Sequence, residues 1–220
     1  MLLSVPASVV SPAVLTSLVK GNYEGAELRL VRQRVQPQDR ILELGAGLGF
    51  LACAVKRGNP GIAYTAIEAN PTLIPVIQEN FRVNGVDVHL LHGAASTTEG
   101  TILFHAAEDF WASSSGNISQ PHSDIEVPSV DLRPLVAELK PTMMIIDIEG
   151  GELDLLPRLD LSGVDVVIME LHPAVYGHHG ATKVIRSLLE KGFNLDVQQS
   201  GSQVFLFERP RAGSGESGGG

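Results

Sequence analysis

Short apolar runs alternate along this chain with longer stretches whose apolar positions recur at helical spacing. That pattern predicts βαβ units around a largely parallel sheet. Arg40-Ile41-Leu42-Glu43-Leu44 reads as a first buried strand, entered from the turn-like Gln36-Pro37-Gln38-Asp39. A helix over 49–57 follows and stops at Gly58-Asn59-Pro60-Gly61, a strong breaker. Residues 63–67 make the second strand. Pro71 then opens a helix with apolar positions at Leu73, Ile74, Ile77 and Phe81, ending at Asn84-Gly85, and 86–91 make the third strand. Residues 143–146 and 164–169 are the fourth and fifth, with helices over 131–139 and 181–191. Two final strands, 193–197 and 203–207, lie so close together around Ser200-Gly201-Ser202 that they should form an antiparallel hairpin. Residues 101–105 and 125–130 look like extra strands.

The expectation is therefore a doubly wound α/β domain with a mostly parallel, seven-stranded, Rossmann-like sheet and a terminal antiparallel hairpin. No internal repeat is present, and one domain over 1–208 suffices for 220 residues. Residues 209–220, RPRAGSGESGGG, have nothing to bury and read as a flexible tail. Composition narrows the function. With 16 basic against 25 acidic residues, the net charge is -9, and no basic face stands out. Binding a phosphate backbone needs clustered Lys and Arg, so nucleic-acid partners are disfavoured, and an acidic surface is repelled by anionic membranes. The single cysteine, Cys53, sits in an apolar helical run and reads as a small core residue. The apolar amino terminus lacks a basic flank before Lys20 and is broken by Pro6 and Pro12. It reads neither as a signal peptide nor as a membrane span, and a cytoplasmic protein is expected.

The chemistry concentrates after the first strand. Gly45, Gly47 and Gly49, with Ala46 between, form a loop where a ligand can approach the backbone. Glu43 stands ahead of it. Glu68 ends the second strand, where a carboxylate can accept the two hydroxyls of a ribose, and Ala69 and Asn70 complete that turn. The dinucleotide fingerprint needs its third glycine at position 50, which is Phe50, and no Gly-Lys-Ser/Thr follows for a P-loop. An acid two residues ahead of the loop repels phosphates but suits a cationic aminoacyl or sulfonium group. S-adenosylmethionine fits this pattern and NAD does not.

These segments resemble the FkbM-type methyltransferases, over residues 21–170. Gly21-Asn22-Tyr23-Glu24 is similar to that family's opening element, residues 41–49 to its cofactor loop, and Ala66-Ile67-Glu68-Ala69-Asn70-Pro71 to its ribose turn. Glu79-Asn80 with Asn84-Gly85 matches its helix end. His92-Gly93-Ala94-Ala95-Ser96 matches its adenine-side segment, with Ala94 against the cofactor. The most specific likeness is Asp147-Ile148-Glu149-Gly150-Gly151-Glu152, which resembles the signature D-x-E-G-x-E, and residues 167–173 resemble the end of its fifth strand. The family usually carries a Lys two residues before the signature Asp, where this chain has Ile145. The resemblance implies a class I methyltransferase fold and O-methylation of hydroxyls on natural products, sugars or lipids.

Methyl transfer from a sulfonium is an in-line displacement, so the protein must chiefly hold donor and acceptor in contact. Asp147, Glu170 and His172 at the ends of the fourth and fifth strands are the catalytic candidates, with Asp147 also beside the cofactor. His172 is the side chain that titrates near neutrality and is the first choice of general base. Asp147, Glu149, Glu170 and His172 are the groups to test as ligands of a divalent metal, though their spacing alone assigns none. His178-His179 reads as a solvated loop pair. The segment 104–122, with Trp111 and a Ser-rich stretch, reads as a lid or acceptor-recognition loop. A protein or RNA acceptor, or a noncatalytic cofactor-binding domain, are the alternatives. The acceptor itself and any homo-oligomeric state are left open by the sequence.

Overall fold

The computed structural model describes residues 1–6, 9–107, 122–148, 150–201 and 203–210, and within these the side chains outside 104–107 and 122–124. Two helices come first, α1 (Pro12–Lys20) and α2 (Gly25–Arg34). The sequence pattern predicts no helix here, because the prolines that break the apolar run also start one. Ser11 caps α1 by accepting the Val14 N–H, with Pro12 as its first residue, and Gly21 closes it in the left-handed conformation.

The main elements then follow in the expected order: β1 (Arg40–Leu44), α3 (Phe50–Gly58), β2 (Ala63–Glu68), α4 (Ile74–Asn84) and β3 (His89–His92). After β4 (Ala94–Ser96), β5 (Thr101–Ala107) and β6 (His122–Asp131) come α5 (Leu132–Leu139) and β7 (Met143–Ile146). The last stretch comprises α6 (Glu152–Leu155), a single 3₁₀ turn, β8 (Val166–Glu170), α7 (Pro173–Glu190), β9 (Asn194–Leu195) and β10 (Val204–Glu208). Seven strands form one sheet in the order β3-β2-β1-β7-β8-β10-β9. Its first five strands are parallel, and β10 runs antiparallel to both β8 and β9. The doubly wound sheet with its terminal antiparallel pair is thus as expected.

Strand alternation sorts the core into two layers. Ile41, Met143, Ile145, Ile168 and Leu206 face α1 to α4, whereas Leu42, Leu44, Met144, Ile146, Val167 and Phe207 face α5 to α7. Both faces are covered, which is why these strands read as continuous apolar runs.

Several expectations need correction. Residues 71–73 are a turn rather than helix, because the Asn70 side chain accepts the Thr72 N–H and delays α4 to Ile74. α7 begins at Pro173, eight residues before the expected start. Gly177, at φ 69° and ψ 171°, kinks it and hides the continuity of its pattern, so the exposed pair His178 and His179 is helical rather than in a loop. β4, β5 and β6 form a separate three-stranded sheet, in which β5 and β6 pair antiparallel and reach into the segment read as a lid. Trp111 and the rest of that segment over 108–121 lie outside the described residues. Arg209, read as the start of a flexible tail, is anchored: its guanidinium donates to the Leu161 and Lys191 carbonyls and stacks 4.0 Å over Phe193. Among the described residues, no helix is long and apolar enough to cross a membrane.

Candidate active site

Register places the acidic residues before any side chain is considered. Leu44 pairs with Ile67 and Ile146, and Ile146 pairs with Met169. The next residue on each chain therefore continues a row across the carboxyl edge: Glu68, Gly45, Asp147, Glu170. Glu43 lies two residues back on β1, and the period of two puts it on the same face. This edge is where open α/β sheets bind ligands.

Gly45 is the gap in that row. A Cβ there would collide with the Asp147 carbonyl oxygen, and its φ of +85° disfavours any other residue. Gly49, at φ +71°, is packed against Phe81 and Ile77. These two glycines are thus required by the fold itself. Gly47 differs, since its N–H is donated to Glu68 Oε2 at 2.9 Å. Glu68 Oε1 accepts the Asn70 N–H at 2.8 Å, so one carboxylate organises both the glycine loop and the Ala69-Asn70 turn. Each oxygen keeps a further acceptor site for a ribose hydroxyl. Burial lifts the Glu68 pKa to about 7, against the hydrogen bonds from Asn70 and Gly47 that lower it.

Glu43 is 1% exposed. Its Oε2 accepts the Tyr64 hydroxyl at 3.0 Å, and its Oε1 is buried without a partner. Burial pushes its pKa up to about 8; Glu68 and Asp147 add to the rise while Tyr64 opposes it. Glu24, which the sequence marks only as part of the opening element and without a role, starts α2 in the left-handed conformation at φ 47°. Although Glu24 is half-buried as a residue, its Oε2 is shut away from solvent and also lacks a partner. Its pKa is raised well above the usual carboxylate range by burial and then by Glu43. Tyr23 carries Glu24 to this place, with its ring packed edge-on against Phe50 at 5.5 Å just past the glycine loop. Asn80, fully buried, holds the loop from behind by donating to the Leu48 carbonyl.

The second group lies at the ends of β7 and β8. Asp147, Glu170 and His172 each offer a ligand-type atom, and these atoms lie within 4.8 Å of one another. His172 is 2% exposed, with Nε2 3.3 Å from Asp147 Oδ1 and Nδ1 3.1 Å from Glu152 Oε1. Burial alone would lower its pKa, but the Asp147 and Glu152 carboxylates outweigh burial and raise it to about 10. The two carboxylates thus favour the charged imidazole, which must lose its proton before it can act as the general base expected from sequence. Glu170 is raised to about 7 by burial and then Asp147, with His172 opposing. Glu152, fully buried at the start of α6, was not singled out by the sequence reading, although it closes the D-x-E-G-x-E segment. Glu149 lies outside the described residues. Ile145 is buried in the first core layer beneath the row. Ala94 sits in β4, paired with Ser129.

Comparisons with known proteins give the family and the fold. The family model for the methyltransferase FkbM domain matches residues 43–195. Among solved structures, the chain is similar to a precorrin-6y C5,15-methyltransferase from Geobacter metallireducens, at 13% identity and TM-score 0.53, covering 91% of this chain and 93% of that one. It is also similar to a methyltransferase FkbM from Methylobacillus flagellatus, at 12% identity and TM-score 0.53, covering 92% of this chain and 56% of that one. This chain thus spans little more than half of the latter. No curated protein matches it significantly in sequence.

Proposed function

Because the chain belongs to the methyltransferase FkbM domain family and is a methyltransferase, we propose that it moves the methyl group of S-adenosylmethionine to a hydroxyl of a small-molecule, sugar or lipid acceptor. One observation carries the choice of donor. Glu43 Oε1 and Glu24 Oε2 are two buried carboxylate oxygens without partners beside the glycine loop. Leaving such atoms unpaired is costly, and a cationic group offsets that cost where a phosphate would add to it. The aminoacyl and sulfonium charges of S-adenosylmethionine fit. Glu68 would take the ribose, the Gly45-Ala46-Gly47 backbone would lie along the donor, and Asp147 would sit between donor and acceptor.

The acceptor hydroxyl then belongs beside Asp147, Glu170 and His172. The methyl carbon's bond to sulfur breaks with its electron pair staying on sulfur, a carbon–oxygen bond forms, and the hydroxyl proton leaves to a neighbouring carboxylate or to water. Holding oxygen, carbon and sulfur in line is the protein's main contribution. The surplus of acidic residues supports a small acceptor over a nucleic acid.

Thermal unfolding with ligands tests the donor. S-adenosylhomocysteine at 100 times its Kd should stabilise the fold by about 2.7 kcal/mol, and NAD should leave it unchanged. Stabilisation by NAD alone would overturn the assignment. A methyl-transfer screen over hydroxylated metabolites, a peptide pool and RNA then identifies the acceptor class. Donor binding without transfer to any of them would favour a noncatalytic role.

A further inference from the structure

We propose that Asp147, Glu170 and His172 form a divalent-cation site, with Glu152 as the outer carboxylate that aims His172 into it. The three donor atoms already lie within 4.8 Å of one another, on a row set by the register of β7 and β8. Ligands about 2.0–2.3 Å from a common ion lie no more than about 4.6 Å apart, so a small side-chain rotation brings all three onto one ion.

A separate observation identifies the arrangement as a ligand set. Metal-bound histidines characteristically donate their second ring nitrogen to a carboxylate, which fixes tautomer and ring orientation. Here Nδ1 faces the fully buried Glu152, which leaves Nε2 as the ring nitrogen directed at Asp147. Nε2 is itself buried and makes no hydrogen bond, because its 3.3 Å approach to Asp147 lacks hydrogen-bond geometry. Among the described residues, no Lys or Arg pairs with Asp147, Glu152 or Glu170, which leaves three carboxylates around one imidazole. A divalent ion neutralises that excess and takes Nε2 as its imidazole ligand.

The donor set selects the ion. Two carboxylates and an imidazole suit manganese or zinc better than magnesium, which prefers oxygen alone. Three protein ligands leave coordination positions open. The proposed acceptor hydroxyl can take one of them, releasing its proton to water and then receiving the methyl carbon as the carbon–sulfur bond breaks. That role rests on the methyl-transfer reading; the binding site does not.

The test uses the full chain, stripped with chelator and titrated with Mn²⁺ by calorimetry and electron paramagnetic resonance, with S-adenosylhomocysteine binding measured separately in chelator. One Mn²⁺ per chain is expected, bound in the micromolar range. His172→Ala and Asp147→Asn should each weaken it at least about 10-fold and Glu152→Gln by about 10–100-fold. His89→Ala, at an exposed residue of β3, should not change it. Circular dichroism confirms that each variant is folded, and Glu170→Gln serves as a fourth probe should a buried substitution prevent folding. No Mn²⁺ or Zn²⁺ binding below millimolar concentrations, or binding unaltered in both His172→Ala and Asp147→Asn, overturns the site. If S-adenosylhomocysteine still binds in either of those cases, only the metal proposal fails. Metal binding without any S-adenosylhomocysteine binding instead upholds the site and removes the donor assignment.

Discussion

The Glu68 carboxylate and the Gly47 backbone N–H meet at 2.9 Å although 21 residues separate them. That bond ties the end of β2 to the loop after β1, so the proposed ribose acceptor also sets the loop's shape. Each hydrogen bond to a charged group contributes about 1.5–3 kcal/mol. Glu68→Ala removes two of them together with the ribose contact, and calorimetry should show S-adenosylhomocysteine affinity lowered by about 100-fold or more. Affinity within threefold of the parent protein would exclude Glu68 from the donor site.

Gly45→Ala places a methyl group into the Asp147 carbonyl at a φ of +85°. The backbone strain alone costs about 1–3 kcal/mol. Urea unfolding should register at least that loss. Gly163→Ala, where nothing lies within 4 Å of the added carbon, is the control and should stay within about 0.5 kcal/mol.

Glu43 should make the ligand-free protein less stable as pH rises. Burial raises its folded pKa to about 8, far above the usual carboxylate value, so the folded state keeps a proton that the unfolded chain releases. Stability therefore falls between about pH 4.5 and 8 and levels off above that range. Glu68, raised to about 7, acts in the same direction. Denaturation midpoints taken in chelator from pH 5 to 9 should show this slope, and Glu43→Gln should flatten it. A parent profile that rises across the window contradicts the assignment.

Glu152→Ala strips the fully buried His172 ring of one of its two carboxylates. Breaking a buried pair by removing one member typically costs about 3–5 kcal/mol. Equilibrium unfolding of Glu152→Ala, His172→Ala and the double variant should give a coupling energy of at least about 1 kcal/mol. Additive losses would mean that the 3.1 Å contact contributes nothing.

Cys53 should be inert in the native protein. It is fully buried, and burial first, then Glu43, pushes its thiol up to about 12. Thiolate is the reactive form, so modification by an aromatic disulfide reagent should proceed only on unfolding. Rapid labelling at pH 8 without denaturant would show that the α3 region opens locally.

The sheet is legible in the chain's own pattern. Apolar runs such as 41–44, 143–146 and 166–169, separated by helical spacing and glycine breakers, are written in local periodicity, and local periodicity is what a parallel sheet covered on both faces demands. The sequence also marks Glu43, Glu68, Asp147, Glu170 and His172, because an acid or imidazole ending an apolar strand departs from the pattern around it. Boundaries were legible only where turn chemistry was plain; Gly177 concealed eight residues of α7, and the Asn70 side chain held back the start of α4. How these groups stand towards one another follows from long-range packing. Glu24 and Glu43 are 19 residues apart, and Glu152 and His172 are 20 apart. No local pattern reports that burial leaves their oxygens unpartnered, or that two carboxylates beside the imidazole favour its charged form. Those properties depend on which neighbours and how much water remain once the two helical layers close over the sheet.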